Sequence, residues 1–133
     1  MRTFHLQIAT PDGVVFDGNA ESILVRTDGG DVEIMAGHAD YFATVGIGIS
    51  KVKFDGSVKA ASCAGGFISV LGGEVKLVTT TFEFAEDINI SRARLAKERA
   101  EASISSAADD KIIRIAKAKL ARAINRINIA ATR

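Results

Sequence analysis

Beyond Gly73 the chain has no glycine and no proline, although twelve glycines and its one proline precede that point. The aromatics are equally one-sided, with all seven phenylalanines lying before residue 85. A single cysteine, Cys63, excludes an internal disulfide and reads as a small buried strand residue. With only His5 and His38 beside it, no metal-ligand cluster and no Cys/His pair stands at a readable spacing. No apolar run approaches the roughly 18 to 20 residues that a membrane span needs. The start, Met1-Arg2-Thr3-Phe4-His5, alternates where a signal peptide would carry an apolar core, so a protein on the cytosolic side is expected. Catalysis is not expected either, because no nucleophile stands beside a base. The carboxylates Asp28, Asp31 and Glu33 sit on a glycine-flanked loop that reads as a solvated or docking surface.

What is present divides in two. At 133 residues and 47% apolar composition the chain fits one packed domain plus an extension. Turn signals punctuate the first 85 residues: Pro11-Asp12-Gly13, Asp17-Gly18, Asp28-Gly29-Gly30, Asp55-Gly56, Gly65-Gly66 and Gly72-Gly73. Asp55-Gly56 and Gly72-Gly73 have the two-residue form of type I′ or II′ hairpins. Gly65-Gly66 lacks the lysine and helix start of a phosphate loop and reads as a turn or bulge. Eight to ten short strands in this stretch predict a two-sheet sandwich or flattened barrel.

After Asp87 the pattern is helical. Asn89 or Ser91 can cap a first helix, Asp109-Asp110 can cap a second, and residues 105–108 make the connection of an antiparallel hairpin. The second helix carries a heptad seam of Ile113, Ala116, Leu120, Ala123, Ile127 and Ala130; the first carries Ala93, Ala96, Ala100, Ser103 and Ala107. Every member of the second set is small. With about 0.8 kcal/mol per buried methylene, such a seam holds a hairpin weakly, and an arm that detaches at low cost is expected. The fold class is thus a β-sandwich over residues 1–87 and a helical hairpin over 88–133. Residues 1–108 carry a net charge of −4 and 109–133 of +5. The basic second helix suits nucleic acid, an anionic membrane surface or an acidic protein face. That helix lacks base-stacking aromatics, which disfavours a nucleic-acid-binding protein, and a stand-alone β-sandwich binding module is the other alternative.

Six pieces in order carry a resemblance. Thr10-Pro11-Asp12-Gly13, Phe16-Asp17-Gly18, Gly30-Asp31 leading to Gly37-His38-Ala39, Gly46-Ile47-Gly48, Gly65-Gly66-Phe67, and Ala85-Glu86-Asp87 followed by Arg92-Ala93 resemble the epsilon subunit of bacterial F-type ATP synthases from end to end. The resemblance implies a non-catalytic rotor subunit, peripheral at the cytoplasmic face of the bacterial cell membrane. Its sandwich would bind the gamma subunit and stand on the c-ring through Asp31 and His38. Its hairpin would lie folded or extend into the alpha/beta hexamer, restraining ATP hydrolysis. There the acidic segment of the beta subunit would meet a basic face of Lys111, Arg114, Lys117, Lys119, Arg122 and Arg126.

No cofactor is required, but ATP as a regulatory ligand is implied by family members that bind it in the folded hairpin. The corresponding positions here are Glu83, Ile88, Asn89, Arg92, Ala93, Arg99, Arg122 and Arg126, with Asn89 replacing the family's acidic residue. The ring-contacting loop departs as well: Glu33 stands in place of Gly, and Ala36 and Asp40 in place of two prolines. The loop thereby loses two fixed φ angles and gains negative charge beside Asp31.

Overall fold

The computed structural model describes residues 2–106 and 109–131. Eight strands come first: β1 Phe4–Thr10, β2 Gly13–Ala20, β3 Ser22–Thr27, β4 Gly30–Met35, β5 Tyr41–Val45, β6 Gly48–Phe54, β7 Ser57–Leu71 and β8 Glu74–Phe84. A 3-10 turn at Ala85–Asp87 leads to α1 Ile90–Ser106 and α2 Asp110–Ala130. The expected sandwich followed by two helices is what forms, as two compact units, Met1–Phe84 and Ala85–Arg133.

In the first unit the strands run in the order β2-β1-β8-β7-β5-β3-β4, with β6 bridging β7 and β3. The first and last strands lie side by side and parallel, Leu6 to Ala9 against Val75 to Val78, which ties the two ends of this unit together. Burial alternates along β1 and β8, as a strand covered on one face requires. The inward side chains Leu6, Ile8, Ile23, Val25, Ile34, Val52, Ile68 and Leu77 are fully buried. At about 1.5 to 3 kcal/mol for each large apolar side chain taken out of water, they carry most of the unit's cohesion.

Both predicted two-residue hairpin turns form. Asp55 and Gly56 have φ of 52° and 75°, Gly72 and Gly73 have 56° and 82°, the positive pair that a type I′ turn demands. Two other glycine signals are not turns. Asp17-Gly18 lies inside β2 opposite Gln7 and Leu6. Gly65-Gly66 lies in the middle of the fifteen-residue β7. There β7 changes partner on one edge, pairing with β6 through Cys63 and with β5 from Gly66, while β8 continues along the other edge. A Cβ on Gly66 would sit 1.9 Å from the Val78 carbonyl oxygen, so this glycine serves backbone approach within the sheet. Cys63, 2% exposed in the same strand, has the buried place expected of it, and burial pushes its thiol up to about 12.

His5 links three strands on the β2-β1-β8 side. Its Nδ1 lies 2.5 Å from Glu74 Oε2 and its Nε2 2.5 Å from Asp17 Oδ1. The Glu74 contact first, then the Asp17 contact, raises the imidazole pKa above 6.5.

In the second unit Asn89 caps α1, its Oδ1 accepting from the Arg92 N–H at 3.0 Å, and Asp109 caps α2, its Oδ1 accepting from the Lys111 N–H at 2.8 Å. Helix α1 runs through Ser105 and Ser106, residues that the sequence assigned to the connection, while Ala107 and Ala108 lie outside the described residues. The helices pack on each other along Ala93 and Ala100 of α1 and Ala116, Ala123 and Ala130 of α2, all at most 4% exposed. Ile113, Leu120 and Ile127 flank this line half-buried, whereas Ser103 is exposed. Ile88 and Ile129 are the large side chains most fully buried here, at 3% and 1% exposed. Ile129 stands off the heptad line, in a helix that also packs against the 85–87 turn.

Two outcomes are expected. Gly66→Ala should cost about 3 kcal/mol or more through the clash with Val78, whereas Gly46→Ala, with nothing within 4 Å of the added Cβ, should stay within about 1 kcal/mol; equal melting temperatures would contradict the close approach. For His5, the raised folded-state pKa means its contribution is fully present below pH 6.5 and is lost as pH rises through the folded value. The wild type should therefore lose its melting-temperature advantage over His5→Gln on going from pH 6 to alkaline pH, and parallel pH profiles would refute the bridge.

Candidate functional site

Three surfaces are available for binding, two on the first unit and one on the second. The first is the loop 36–40, from which Asp31 is separated by the length of β4: Asp31 lies at the β3–β4 turn, whereas the loop follows Met35 at the other end of that strand. Asp31, on β4, is not a free charge: Arg26 Nε donates to its Oδ1 at 2.6 Å across the β3–β4 pair. Asp28 on the adjoining turn accepts from the Thr44 hydroxyl. His38 is half-buried; its N–H donates to the Met35 carbonyl at 3.2 Å, its Nδ1 lies 2.7 Å from the Ala39 carbonyl oxygen, and its ring meets Tyr41 edge-on at 5.6 Å.

Asp40 is tethered too, its Oδ1 accepting from the Gly72 N–H at 3.0 Å. The loop that lacks two prolines is thus held by hydrogen bonds, and Asp40, past the far end of β4, does not add its charge beside Asp31 as the sequence suggested. A cleft of about 490 Å³ opens beside it, lined by Arg2, Glu21, Ser22, Glu33, Met35, Ala36 and Lys53. Its charges are mixed, so it favours neither an anion nor a cation by field alone.

The second surface is the solvent face of β5, β7 and β8, which sequence reasoning missed. Phe42, 65% exposed, stacks on Phe67 with ring centroids 5.3 Å apart, and Phe67 is register partner to the part-exposed Val78. Leu71, 68% exposed, continues the line on β7. Two stacked phenylalanines in water, with Leu71 beyond Ser69 on the same face, form an apolar strip of the kind that suits docking. The available signal was alternation: Phe67, Ser69 and Leu71 share one face of β7 while Ile68 and Val70 fill the core.

The third surface is the hairpin. Of the residues assigned to a nucleotide, Glu83 belongs to β8 of the first unit, and Ile88, Asn89, Arg92, Ala93, Arg99, Arg122 and Arg126 belong to the second. Ile88 and Ala93 are buried, which gives them packing roles, and Asn89 uses its oxygen on the helix cap. The four arginines behave differently. At about 100° per residue, Arg92 and Arg99 fall on one flank of the α1 seam, and Arg122 and Arg126 on the flank of α2 that an antiparallel partner turns to the same side. Arg92 and Arg99 are exposed, Arg122 and Arg126 half-buried.

The six residues assigned to a basic face span about 200° of the circumference of α2: Lys111, Arg122, Arg126 and Lys119 fall within about 80° of one another, and Arg114 and Lys117 follow about 60° and 120° beyond Lys111. The described residues hold no cluster of three or more potential metal ligands, and none of their helices is long and apolar enough to cross a membrane.

Residues 3–85 match the model of the ATP synthase delta/epsilon chain β-sandwich domain, and residues 86–131 match that family's long α-helix domain. The chain belongs to the ATP synthase delta/epsilon chain family. It is similar to the ATP synthase epsilon chain of Bacillus velezensis, 39% identical, and to that of Bacillus subtilis, 38% identical, each over 98% of both chains. Among solved structures it is similar to a chain of the Euglena gracilis mitochondrial ATP synthase, with a TM-score of 0.79 and 23% identity, covering 98% of this chain and 82% of that one. At that identity the likeness establishes the fold. Membership agrees with the resemblance carried by the glycine and Arg-Ala pieces, and the family's two-domain division, between residues 85 and 86, falls one residue after the 84/85 division of compact units.

Proposed function

We propose that this chain is the non-catalytic central-stalk subunit of a bacterial F-type ATP synthase, peripheral at the cytoplasmic face of the membrane. It couples c-ring rotation to the catalytic head and restrains ATP hydrolysis through its helices. The observation that carries this reading is the pairing of a large-residue sheet core with a hairpin seam of alanines, within a full-length family match. A rigid unit suits torque transmission. A hairpin that buries little along its seam suits an arm that changes position.

In this reading the Phe42–Phe67–Leu71 strip receives the gamma subunit, because an apolar strip on an otherwise polar sheet face gains most from burial against a partner. His38 in loop 36–40, and Asp31 at the opposite end of β4, are the residues assigned to the polar loops of the c-ring. Lys111, Lys119, Arg122 and Arg126, which fall within about 80° of one another on α2, are the residues best placed for an acidic segment of the beta subunit, with Arg114 and Lys117 flanking them.

ATP is a regulatory ligand of the same hairpin in this reading. Arg92, Arg99, Arg122 and Arg126 lie on one side, and four guanidinium groups suit a polyphosphate. Because the Asn89 oxygen is spent on the cap, no charged acceptor meets adenine there, and the affinity should be low, with a Kd of about 1 mM.

The test is ATP hydrolysis by the catalytic head with the full-length chain and with a chain ending after Asp87. Faster hydrolysis with the short chain, gamma binding being retained, is the expected result, and equal rates would remove the inhibitory role. Calorimetry of the full chain should give heat with millimolar ATP that Arg99→Ala and Arg122→Ala abolish. No heat from the wild type would leave the arginines as contacts to the head alone.

A further inference from the structure

We propose that Asp40 is a positioning residue that locks the 36–40 loop to the β7–β8 turn, making the loop and the turn one docking surface. The inference rests on the reading of that loop as the ring-contacting segment. The bond itself is plain: the Gly72 N–H donates to Asp40 Oδ1 at 3.0 Å, joining backbone 32 residues apart.

The turn does not need the bond. Gly72 and Gly73 already supply the two positive φ angles of a two-residue hairpin, and Leu71 pairs with Glu74 across it. The loop is what gains. On its amino-terminal side it is fastened by the His38 N–H on the Met35 carbonyl, and Gly37, at φ +83°, lies so close to Arg2 that a Cβ there would be 3.1 Å from a guanidinium nitrogen. On its carboxyl-terminal side β5 begins at Tyr41, the residue that carries the ring against His38. Asp40 stands between these anchors, and its carboxylate extends the fastening to a second element. Without it, the residues from His38 to Asp40 would hang from β5 alone on that side, and docking would have to meet the entropy of ordering them.

The latch also places Leu71 beside the loop as part of the same rigid edge, so the docking surface continues from loop 36–40 onto the exposed strip of β7. The chemistry asked of residue 40 is an acceptor, not a charge. Asn retains the Oδ1 acceptor without the charge, Ala removes both, and Pro restores stiffness by fixing φ instead.

The experiment compares Asp40→Ala, Asp40→Asn and Asp40→Pro in the full chain. Hydrogen exchange at the Gly72 amide of the isolated chain should speed up about three- to tenfold in Asp40→Ala and stay near wild type in Asp40→Asn. Each variant is then assembled into the synthase in inverted vesicles and the ions pumped per ATP hydrolysed are measured. Asp40→Ala should lower the ratio, and Asp40→Asn and Asp40→Pro should keep it. Unchanged Gly72 exchange in Asp40→Ala would overturn the latch, and a ratio that falls equally in Asp40→Asn would show that the charge, not the acceptor, is what matters. Faster exchange with an unaltered ratio would leave the latch standing and refute the ring-docking reading of the loop.

Discussion

An alanine seam cannot hold two helices as firmly as an isoleucine and leucine core holds a sheet. The hairpin places Ala93, Ala100, Ala116, Ala123 and Ala130 along its contact line, one methyl group from each residue. The sheet buries Leu6, Ile8, Ile23, Ile34, Ile68 and Leu77 completely. At about 25 cal/mol for each Å² of apolar surface, the difference in side-chain size becomes a difference of several kcal/mol in cohesion. One chain therefore contains a unit that keeps its shape under load and a unit whose helices depend on Ile88, Ile129, their caps and whatever partner they meet. Transmission of torque and reversible restraint of hydrolysis need those two kinds of unit.

The same economy shapes the first unit. Its first and last strands are joined by the parallel β1–β8 pair, so a load on one reaches the other through the ladder. The long strand β7 serves two neighbours in turn, and the change of neighbour falls at the paired glycines, where the backbones crowd. Around this frame the surfaces proposed for docking occupy exposed positions: the phenylalanine strip on β5 and β7, and the loop 36–40 held by Asp40 on the Gly72 N–H and by the His38 N–H on the Met35 carbonyl. Rigidity in such a surface lowers the ordering cost of binding, which is the same service proline performs elsewhere by another route.

Local chemistry was legible in the sequence and long-range chemistry was not. Asp55-Gly56 and Gly72-Gly73 announced their turns because two consecutive positive φ angles leave few other residue choices, and Asn89 and Asp109 announced helix starts because a cap is made within three residues. Asp17-Gly18 misled, because a glycine inside a strand looks identical in one dimension to a glycine in a turn, whereas Gly65-Gly66 marks an irregular point within β7, with Gly65 at φ +64° and no room for a Cβ on Gly66. The Asp40 clasp was invisible for the same reason, its partner being a backbone N–H 32 positions away. At the hairpin, the residues carried over by resemblance separate on structural grounds. Ile88 and Ala93 are packing, Asn89 is a cap, and the four arginines share a side.

The central claim is that the two units differ in cohesion, and segment-resolved amide hydrogen exchange of the intact chain tests it most directly. Amides of α1 and α2 should exchange at least about a hundredfold faster than those at the centres of β1, β7 and β8, through an opening that leaves the sheet protected. Helix and sheet amides exchanging together, at one rate set by global unfolding, would contradict it and make the hairpin an integral part of a single rigid body.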